Sequence, residues 1–328
     1  MLNPPESLSG TEIDLWDNLC AKLVILNERV WEGRANGPVV ENWLANFKGR
    51  TGAPAHIEKL HALYLATQFM YYGSKEIRVL LRAMYNELFL LPLAQQIKSS
   101  TNSLQEFKAK LREELEATRF LGVGNPSESG VHLLYYFRQE NNLSKNSFLD
   151  SAQIYSTAEG PHGRTRSPLH PNVKRYIFLD DLCGSGETAI FYSKNLLPDL
   201  IANQPDVELH YLSLFAMSSG LERIRAETVF QNNCGAVYEL DGTYKWGDSK
   251  TRYAADLDPN LAPSLLVALA YQYGCLLLPG HELGYGDSQL LLGFSHNTPD
   301  NTIPIIWCEL ENGSTEPWYP IFRRFPKM

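Results

Sequence analysis

One segment, at residues 176–188, constrains the fold of this chain more than any other; it reads Tyr-Ile-Phe-Leu-Asp-Asp-Leu-Cys-Gly-Ser-Gly-Glu-Thr. An apolar run ends in two adjacent carboxylates, Asp180 and Asp181, and a Gly/Ser loop then leads into a helical pattern at residues 189–200. This order predicts a buried strand that presents two acids at its carboxyl end, beside a loop that opens a helix. Carboxylates accept hydrogen bonds from sugar hydroxyls, and the free N–H groups at a helix N-terminus bind anions. The segment therefore predicts a site for a ligand that carries both hydroxyl and phosphate groups.

A simpler interpretation of the segment is a polar turn between a strand and a helix. An N-cap accounts for one acid and for one Ser or Thr at such a turn. It does not account for two acids at the end of a buried strand followed by Gly-Ser-Gly, so the pattern favours a ligand site over the turn alone.

The hydrophobic pattern changes near residue 118. Before it, apolar residues recur at helical spacing with charged residues between them, which predicts helices over residues 11–118. After it, short apolar runs alternate with helical stretches, the pattern of a parallel sheet with crossover helices. We therefore predict a helical N-terminal region at residues 1–118 and an α/β domain at residues 119–328.

Individual elements follow from the same pattern. A long loop rich in Gly, Pro, His and Arg is expected at residues 156–171. The turn formers in Ser-His-Asn-Thr-Pro-Asp-Asn-Thr predict a C-terminal β-hairpin between the apolar runs 290–294 and 303–307. Besides the strand of the opening segment, strands are expected at residues 119–123, 148–155, 207–215 and 236–240.

Composition narrows the class of protein. The formal charge of −8 argues against a dominant nucleic-acid surface, and the five cysteines are scattered singly, which fits a reducing, cytoplasmic setting. The first residues lack the basic and apolar regions of a signal peptide. The most apolar window, residues 261–278, contains Pro263 and Gly274 and predicts a buried helix that runs into a strand, so no membrane is expected among the partners.

Position by position, the segment at residues 176–188 resembles the phosphoribosyl-diphosphate loop of type I phosphoribosyltransferases. That loop has an apolar run, two acids, two apolar residues, two small residues, Gly, any residue, and Thr or Ser, which this sequence matches. The resemblance implies that Asp180 and Asp181, assigned as the catalytic residues, hold the ribose 2′- and 3′-hydroxyls. The residues assigned to binding the 5′-phosphate side of the ligand are Gly184, Ser185, Gly186, Glu187 and Thr188.

The resemblance also implies the fold, an α/β fold with a type I phosphoribosyltransferase-like parallel sheet core. The all-helical N-terminal region and the C-terminal β-hairpin are added to this core. Mg²⁺ is the expected cofactor, bridging pyrophosphate and ribose oxygens, with Asp180 and Asp181 acting on it indirectly. Reaction at the ribose C1, by transfer or by hydrolysis, would pass through an oxocarbenium-like state that the acid pair stabilises.

Two further loops gain a role from the resemblance. The loop at residues 124–130 stands where the family binds pyrophosphate, and Ser127, Ser129 and Gly130 are its candidates. An ordinary loop with a serine cap explains these residues equally well. The long loop at residues 156–171 stands where the family closes over its ligand, and Arg164, with His162 and Arg166 beside it, would neutralise the pyrophosphate; a solvated loop is the alternative.

Two alternatives remain open on the activity. Family members that act on purines carry an acid where this chain has Gly184. The acceptor of the phosphoribosyl group is therefore not assigned, and binding without turnover is a second hypothesis. The run at residues 179–186 also resembles the first motif of class I methyltransferases. Asp181 replaces a usual apolar residue there, and Leu182 replaces the glycine that lets S-adenosylmethionine approach the backbone.

The surroundings of the motif, over most of residues 40–325, are similar to phosphoribosyltransferase-like proteins of bacterial conflict (anti-phage) systems. Such proteins are effectors or ligand sensors, which implies protein partners from a defence system besides a phosphoribosyl or nucleotide ligand. Candidates for the acceptor or nucleotide side of the pocket are Asp287, Ser288, His296, Asn297, Asn301 and Trp307.

Overall fold

The computed structural model describes residues 2–124, 129–160, 163–255, 257–310 and 317–325. The helices are α1 Gly10–Arg29, α2 Gly37–Leu44, α3 Ala55–Thr67, α4 Ser74–Ala83, α5 Leu91–Ser99, α6 Leu104–Glu116, α7 Ser129–Glu140, α8 Glu187–Asn195, α9 Pro198–Asn203, α10 Ser218–Glu227, α11 Pro263–Leu277 and α12 Pro304–Trp307. The strands are β1 Met70–Tyr72, β2 Thr118–Gly122, β3 Tyr155–Gly160, β4 Gly163–Pro168, β5 Arg175–Cys183, β6 Glu208–Met217, β7 Cys234–Leu240 and β8 Leu292–Phe294. A π-helical stretch, Met84–Leu90, joins α4 to α5.

The chain forms two compact units, unit 1 with Met1–Ile77 and Asp241–Met328, and unit 2 with Arg78–Leu240. The expected boundary between residues 118 and 119 is not a point at which the chain passes from one unit to the other. The reason is aromatic packing within unit 2: the ring of Phe89, from the π-helical stretch, meets the ring of Phe120 on β2 edge-on at 5.5 Å between centroids. The last part of the N-terminal region, residues 78–118, therefore belongs with the sheet that follows it.

Unit 2 is built on a four-stranded sheet in the order β2-β5-β6-β7, and every pairing in it is parallel. The first five residues of β5 are all buried, as expected for a central strand of a sheet that is covered on both faces. This confirms the predicted parallel α/β core. It also confirms the strands that the apolar runs predicted at residues 119–123, 207–215 and 236–240.

Two predictions on either side of residue 155 are wrong. The expected strand at residues 148–155 contains a 3₁₀ turn, Ser151–Gln153, which forms because Asp150 Oδ1 accepts the N–H of Ala152 at 2.8 Å. The expected long loop at residues 156–171 is instead largely an antiparallel ribbon of β3 and β4. The side chains of this ribbon are mostly polar or small, so it lacked the apolar alternation that marks a half-buried strand in a sequence.

The C-terminal β-hairpin is likewise a wrong prediction. β8 pairs in parallel with β1, a short strand within the N-terminal region that was expected to be wholly helical. Leu290 and Thr302 form a parallel bridge, and α12 starts at Pro304, whose fixed φ suits a first helical position. The turn formers at residues 295–302 therefore connect a strand to a helix.

Unit 1 is a helical assembly with an aromatic core. Trp43 and Phe47 pack edge to face at 5.1 Å between ring centroids, and Trp43 Nε1 donates to the carbonyl oxygen of Ile305 at 2.7 Å. The apolar window at residues 261–278 forms α11, which stays helical instead of running into a strand. Across the described ranges, the structure has no helix that is both long and apolar enough to cross a membrane.

Candidate functional site

The acid pair lies at the carboxyl end of β5, as the sequence predicts. Side chains alternate between the faces of a strand, so Asp180 shares a face with Phe178 and Asp181 lies on the face of Leu179. Asp180 Oδ2 accepts the hydroxyl of Tyr211 on β6 at 2.7 Å, and its Oδ1 accepts the N–H of Asp181 at 2.9 Å. Asp181 Oδ1 accepts the N–H of Leu182 at 2.8 Å. The two carboxylates therefore sit in different surroundings.

The environment of Asp180 favours its protonated form. Burial raises the pKa of Asp180 well above its usual value, and the neighbouring charge of Asp181 raises it further, while the hydrogen bond from Tyr211 acts in the opposite direction. Burial and the charge of Asp180 also raise the pKa of Tyr211, so the phenol keeps its proton and remains a donor. Asp180 is thus held against β6 by the hydroxyl of Tyr211.

The loop after the acids depends on close contacts between backbones. Gly186 has φ +78°, a left-handed conformation that favours glycine. A Cβ on Gly220, in the first turn of α10, would lie 2.3 Å from the carbonyl oxygen of Gly184. Arg223 on α10 donates from Nη1 to the carbonyl oxygen of Ser185 at 2.7 Å. The Gly-Ser-Gly loop is therefore held against α10.

Helix α8 opens from this loop with backbone donors at its start. Its N-cap is Gly186, which brings no side chain to cap the helix, and Ser185 Oγ accepts the N–H of Glu187 at 3.4 Å. In the described part of the chain, the N–H groups of Thr188 and Ala189 have no hydrogen-bond acceptor. Such a helix N-terminus attracts an anion, whereas the exposed carboxylate of Glu187 works against one.

Of the predicted pyrophosphate loop, the described end residues Gly124 and Gly130 contact the elements that carry the acid loop. Tyr192 on α8 accepts the N–H of Gly124 at 2.8 Å and donates to its carbonyl oxygen at 3.0 Å. Gly130 has a packing role, since a Cβ there would lie 2.5 Å from the carbonyl oxygen of Val123 and 3.0 Å from that of Leu179. Ser129 is the first residue of α7, and Ser127 lies outside the described residues.

The basic residues of the ribbon are placed differently. The backbone of Arg164 pairs with that of Glu159 on β3, and His162 lies outside the described residues. The guanidinium of Arg166 lies 3.8 Å from the carboxylate of Asp199 on α9 and above the ring of Tyr155. Arg166 is therefore engaged with α9 and not with the acid pair.

The C-terminal candidates belong to unit 1, so they are not part of the unit that holds the acid loop. Two of them, Asn301 and Ser288, hydrogen-bond to each other at 3.0 Å in the interior. Asp287 pairs with Lys245 at 3.4 Å, and Trp307 Nε1 donates to the carbonyl oxygen of Thr302 at 2.7 Å. His296 and Asn297 line a cavity of unit 1.

Sequence reasoning missed three residues that shape the acid loop: Tyr211, Gly220 and Arg223. Tyr211 reaches Asp180 because it pairs with Phe178 in the β5–β6 register, which a single sequence does not display. The glycine in Ser-Ser-Gly directly after β6 was a usable signal, because a glycine in a first helical turn often marks a close backbone approach.

A parallel sheet with an acid pair at a strand end and a glycine loop that opens a helix defines the class of this molecule: a phosphoribosyltransferase-like protein. The family model PRTase-CE matches residues 40–324, and the chain belongs to that family. The resemblance to phosphoribosyltransferases that the motif indicated is thereby confirmed at the level of the phosphoribosyltransferase-like class.

Other comparisons are weaker. Among solved structures, a Helicobacter pylori xanthine-guanine-hypoxanthine phosphoribosyltransferase is similar at 15% sequence identity, with 42% of this chain and 84% of that chain covered and a TM-score of 0.22. A comparison with curated proteins finds no match.

Proposed function

We propose that unit 2 binds a ligand with a 5-phosphorylated ribose, either phosphoribosyl diphosphate or a nucleotide, at residues 180–188. The observation that carries the proposal is the start of α8, where Gly186 turns the backbone and the N–H groups of Thr188 and Ala189 have no acceptor within the described chain. A phosphate bound there would accept these N–H groups and gain from the helix dipole. Ser185 and Thr188 add hydroxyl donors at the same turn.

The ribose would lie on the strand side of the loop. Asp181 is the proposed acceptor for the ribose hydroxyls, because it is the acid nearer the glycine loop at the carboxyl end of β5. Asp180 is already bonded to Tyr211 and to the N–H of Asp181, so its proposed role is to position Asp181. This division revises the equal roles that the motif suggested for the two acids.

Magnesium would fit this site only together with the ligand. Among the residues whose placement is described, no group of three or more His, Cys, Asp or Glu side chains is arranged to hold a metal ion. Mg²⁺ commonly binds one or two carboxylates together with substrate phosphates and water. Asp181 is the carboxylate that would hold it, and the ion would neutralise charge on a diphosphate.

The proposed chemistry is phosphoribosyl transfer or cleavage of an N-glycosidic bond at the ribose C1. Negative charge from Asp181 would stabilise a cationic sugar in the transition state. A second candidate is binding without turnover, and the specific observation in its favour is the raised pKa of Asp180, which leaves less negative charge at the site. A part in an anti-phage defence complex is proposed from the resemblance and would suit either candidate.

Methyltransfer is the weakest of the functions considered. Methyltransferases need an acid at the end of the strand that follows the motif, and β6 ends in Ala216 and Met217. Family membership as a PRTase-CE protein also favours a phosphoribosyl ligand.

Calorimetry with phosphoribosyl diphosphate and Mg²⁺ tests the binding proposal. We expect saturable heat for the native chain and an affinity at least about tenfold lower for Asp181→Asn, because charge-assisted hydrogen bonds to the ribose are lost. Asp206→Asn is the matched control, since Asp206 is exposed and lies after α9. Equal affinities for Asp181→Asn and the native chain would contradict the proposal.

Turnover is measured separately from binding. Release of pyrophosphate from phosphoribosyl diphosphate, or of free base from nucleotides, over a long incubation identifies an enzyme. Binding without either product identifies the sensing module.

A further inference from the structure

Unit 1 contains a cavity of about 420 Å³ that none of the residues at positions 180–188 lines. This volume falls within the range of small-molecule sites, about 300–1,000 Å³. Its walls come from the turn between α1 and α2, from α2, from β1 and β8, from the residues after β8, and from the C-terminal segment.

The cavity lining includes the aromatic rings of Tyr71, Phe294, Phe322 and Phe325. Phe322 stacks on Phe69, with ring centroids 4.2 Å apart and planes at 20°, and its ring also lies 5.7 Å from that of Tyr71. The rings of two lining residues, Phe294 and His296, stack on each other at 5.3 Å between centroids with an angle of 18°. Flat ring faces of this kind favour a planar heteroaromatic group, which gains contact area and stacking energy against them.

The charged side chains among the residues that line the cavity are basic. The protein carries 37 acidic and 29 basic residues, yet the described residues that line the cavity include Arg34, Arg323 and His296 and no Asp or Glu. Arg323 pairs with Glu309 at 2.8 Å. Arg34 donates to the carbonyl oxygen of Ser295 at 3.3 Å. A rim of this composition favours an anionic group on the ligand.

Asn297 adds neutral donors to the rim. Its Oδ1 accepts the N–H groups of Thr298 and Phe325, each at 3.0 Å. The acceptor of this amide is therefore used within the protein, and in the part of the chain that the structure describes its Nδ2 has no acceptor. The backbone that carries Asn297 is fixed as well, because the N–H of Phe294 donates to its carbonyl oxygen at 2.9 Å.

We propose that this cavity is a second ligand site, for a nucleoside monophosphate, with the base between the aromatic walls and the phosphate at Arg34 and Asn297. The proposal is independent of a ribose phosphate ligand at the acid loop. It gives a common role to His296 and Asn297, two C-terminal candidates that are not part of the acid loop. Unit 1 would then be a recognition unit in its own right.

Calorimetry with the monophosphates AMP, GMP, CMP and UMP tests the proposal on the whole chain. We expect saturable binding of at least one of them, with weaker binding of the matching nucleoside, which lacks the anion, and of inorganic phosphate, which lacks the ring. Absence of saturable binding for all four at millimolar concentration would overturn the proposal.

Two substitutions locate the binding, which is necessary because a monophosphate also carries the ribose phosphate proposed for the acid loop. Asn297→Asp keeps the acceptor for Thr298 and Phe325 but replaces the amide donors by a negative charge. Arg34→Gln removes the cation. We expect each to lower the affinity for the monophosphate by at least about tenfold, as for the loss of a charge-assisted hydrogen bond.

The controls separate the cavity from general charge effects and from the acid loop. Arg29→Gln and Asn3→Asp make the same chemical changes at exposed positions that do not line the cavity, and their affinities should equal that of the native chain. Asp181→Asn weakens the proposed acid-loop site, so the monophosphate binding that this variant retains should be one saturable site with the affinity that Asn297→Asp and Arg34→Gln lower. If Asp181→Asn abolishes monophosphate binding while the Asn297→Asp and Arg34→Gln variants retain it, the cavity is not the site. The monophosphate would then bind at the acid loop.

Discussion

The acid loop of unit 2 and the cavity of unit 1 are built by opposite means. The loop is shaped by backbone groups and glycines: Gly186 adopts a left-handed conformation, and Gly220 lets α10 approach the carbonyl oxygen of Gly184. In the cavity, large side chains from distant parts of the chain make the walls, with Phe322 stacked on Phe69. The loop therefore depends on the absence of side chains, whereas the cavity depends on their presence.

The largest loss of stability is expected when a methyl group is added where α10 contacts the loop. Gly220→Ala places a Cβ 2.3 Å from the carbonyl oxygen of Gly184, and this backbone atom has no free rotation by which to move away. We expect unit 2 to lose about 3 kcal/mol of unfolding free energy, the upper part of the range for overpacking, and to lose phosphoribosyl diphosphate binding. Urea unfolding and calorimetry measure the two effects.

Gly235→Ala is the matched control, since a Cβ at Gly235 on β7 would meet nothing within 4 Å. Monophosphate binding in unit 1 should survive Gly220→Ala if the two sites are built independently. Equal unfolding free energies for the two alanine variants would show that the loop tolerates a side chain against α10.

These differences explain how much the sequence could reveal. Asp180, Asp181 and the glycine loop are consecutive, so their order alone predicted a strand, a loop and a helix, and the structure has all three. The partner of Asp180, Tyr211, lies on the next strand and depends on the β5–β6 register. Such a partner cannot be assigned from periodicity, because a shift of one residue would turn the phenol to the other face.

The cavity was less predictable still. Its walls join residues from near position 34 to near position 325, and no local pattern connects them. The turn formers at residues 295–302 suggested a hairpin because Asn, Pro and Asp favour turns in general. The direction of the following chain was decided by pairing of β8 with the distant β1 and by Pro304, which starts a helix.

Removal of the phenol behind the acid pair should have the second largest effect. Tyr211→Phe leaves Asp180 Oδ2 without its 2.7 Å hydrogen bond in the interior. We expect the unfolding free energy at neutral pH to fall by about 2 kcal/mol, the cost of leaving a buried acceptor without its hydrogen bond. Denaturant titration at constant pH measures this change.

Tyr176→Phe is the control on the same sheet. The hydroxyl of Tyr176 is buried and has no hydrogen-bond partner among the atoms that the structure describes, so its removal should be neutral or stabilising. A Tyr211→Phe variant as stable as Tyr176→Phe would mean that Asp180 does not need the phenol.

The contributions of Asp180 and Glu208, at the two ends of the central sheet, to the unfolding free energy should change with pH in opposite directions. At the carboxyl end, burial raises the pKa of Asp180, so its stabilising contribution is complete below about pH 3.9 and is lost as the pH rises through the raised value. At the other end, hydrogen bonds from His210 and Arg175 lower the pKa of Glu208 to about 2. Glu208 therefore stabilises the fold above about pH 4.3, and this contribution is lost as the pH falls towards 2.

Variants that replace each carboxyl group by an amide test these two opposite pH dependences. As the pH rises from about 2 to about 7, Asp180→Asn should gain stability relative to the native chain above about pH 4, whereas Glu208→Gln should lose stability relative to it between about pH 2 and pH 4.3. Unfolding free energies across this pH range measure both, with Asp206→Asn as the exposed reference. Parallel profiles for Asp180→Asn and Asp206→Asn would show that Asp180 titrates as an exposed carboxyl group does.

The smallest expected effect concerns the arginine that fixes the loop from outside. Arg223 is half-exposed; it donates to the carbonyl oxygen of Ser185 at 2.7 Å and pairs with Glu227 at 3.1 Å. Arg223→Gln should cost about 0.5–1 kcal/mol of unfolding free energy, because water replaces much of an exposed hydrogen bond. Its effect on phosphoribosyl diphosphate affinity should be larger than its effect on stability, since the Ser185 carbonyl sets the position of the N–H groups that follow it. Glu227→Gln removes the ion pair and keeps the bond to Ser185, so a drop in affinity in both variants would mean that the charge of the pair, and not the anchored loop, supports the site.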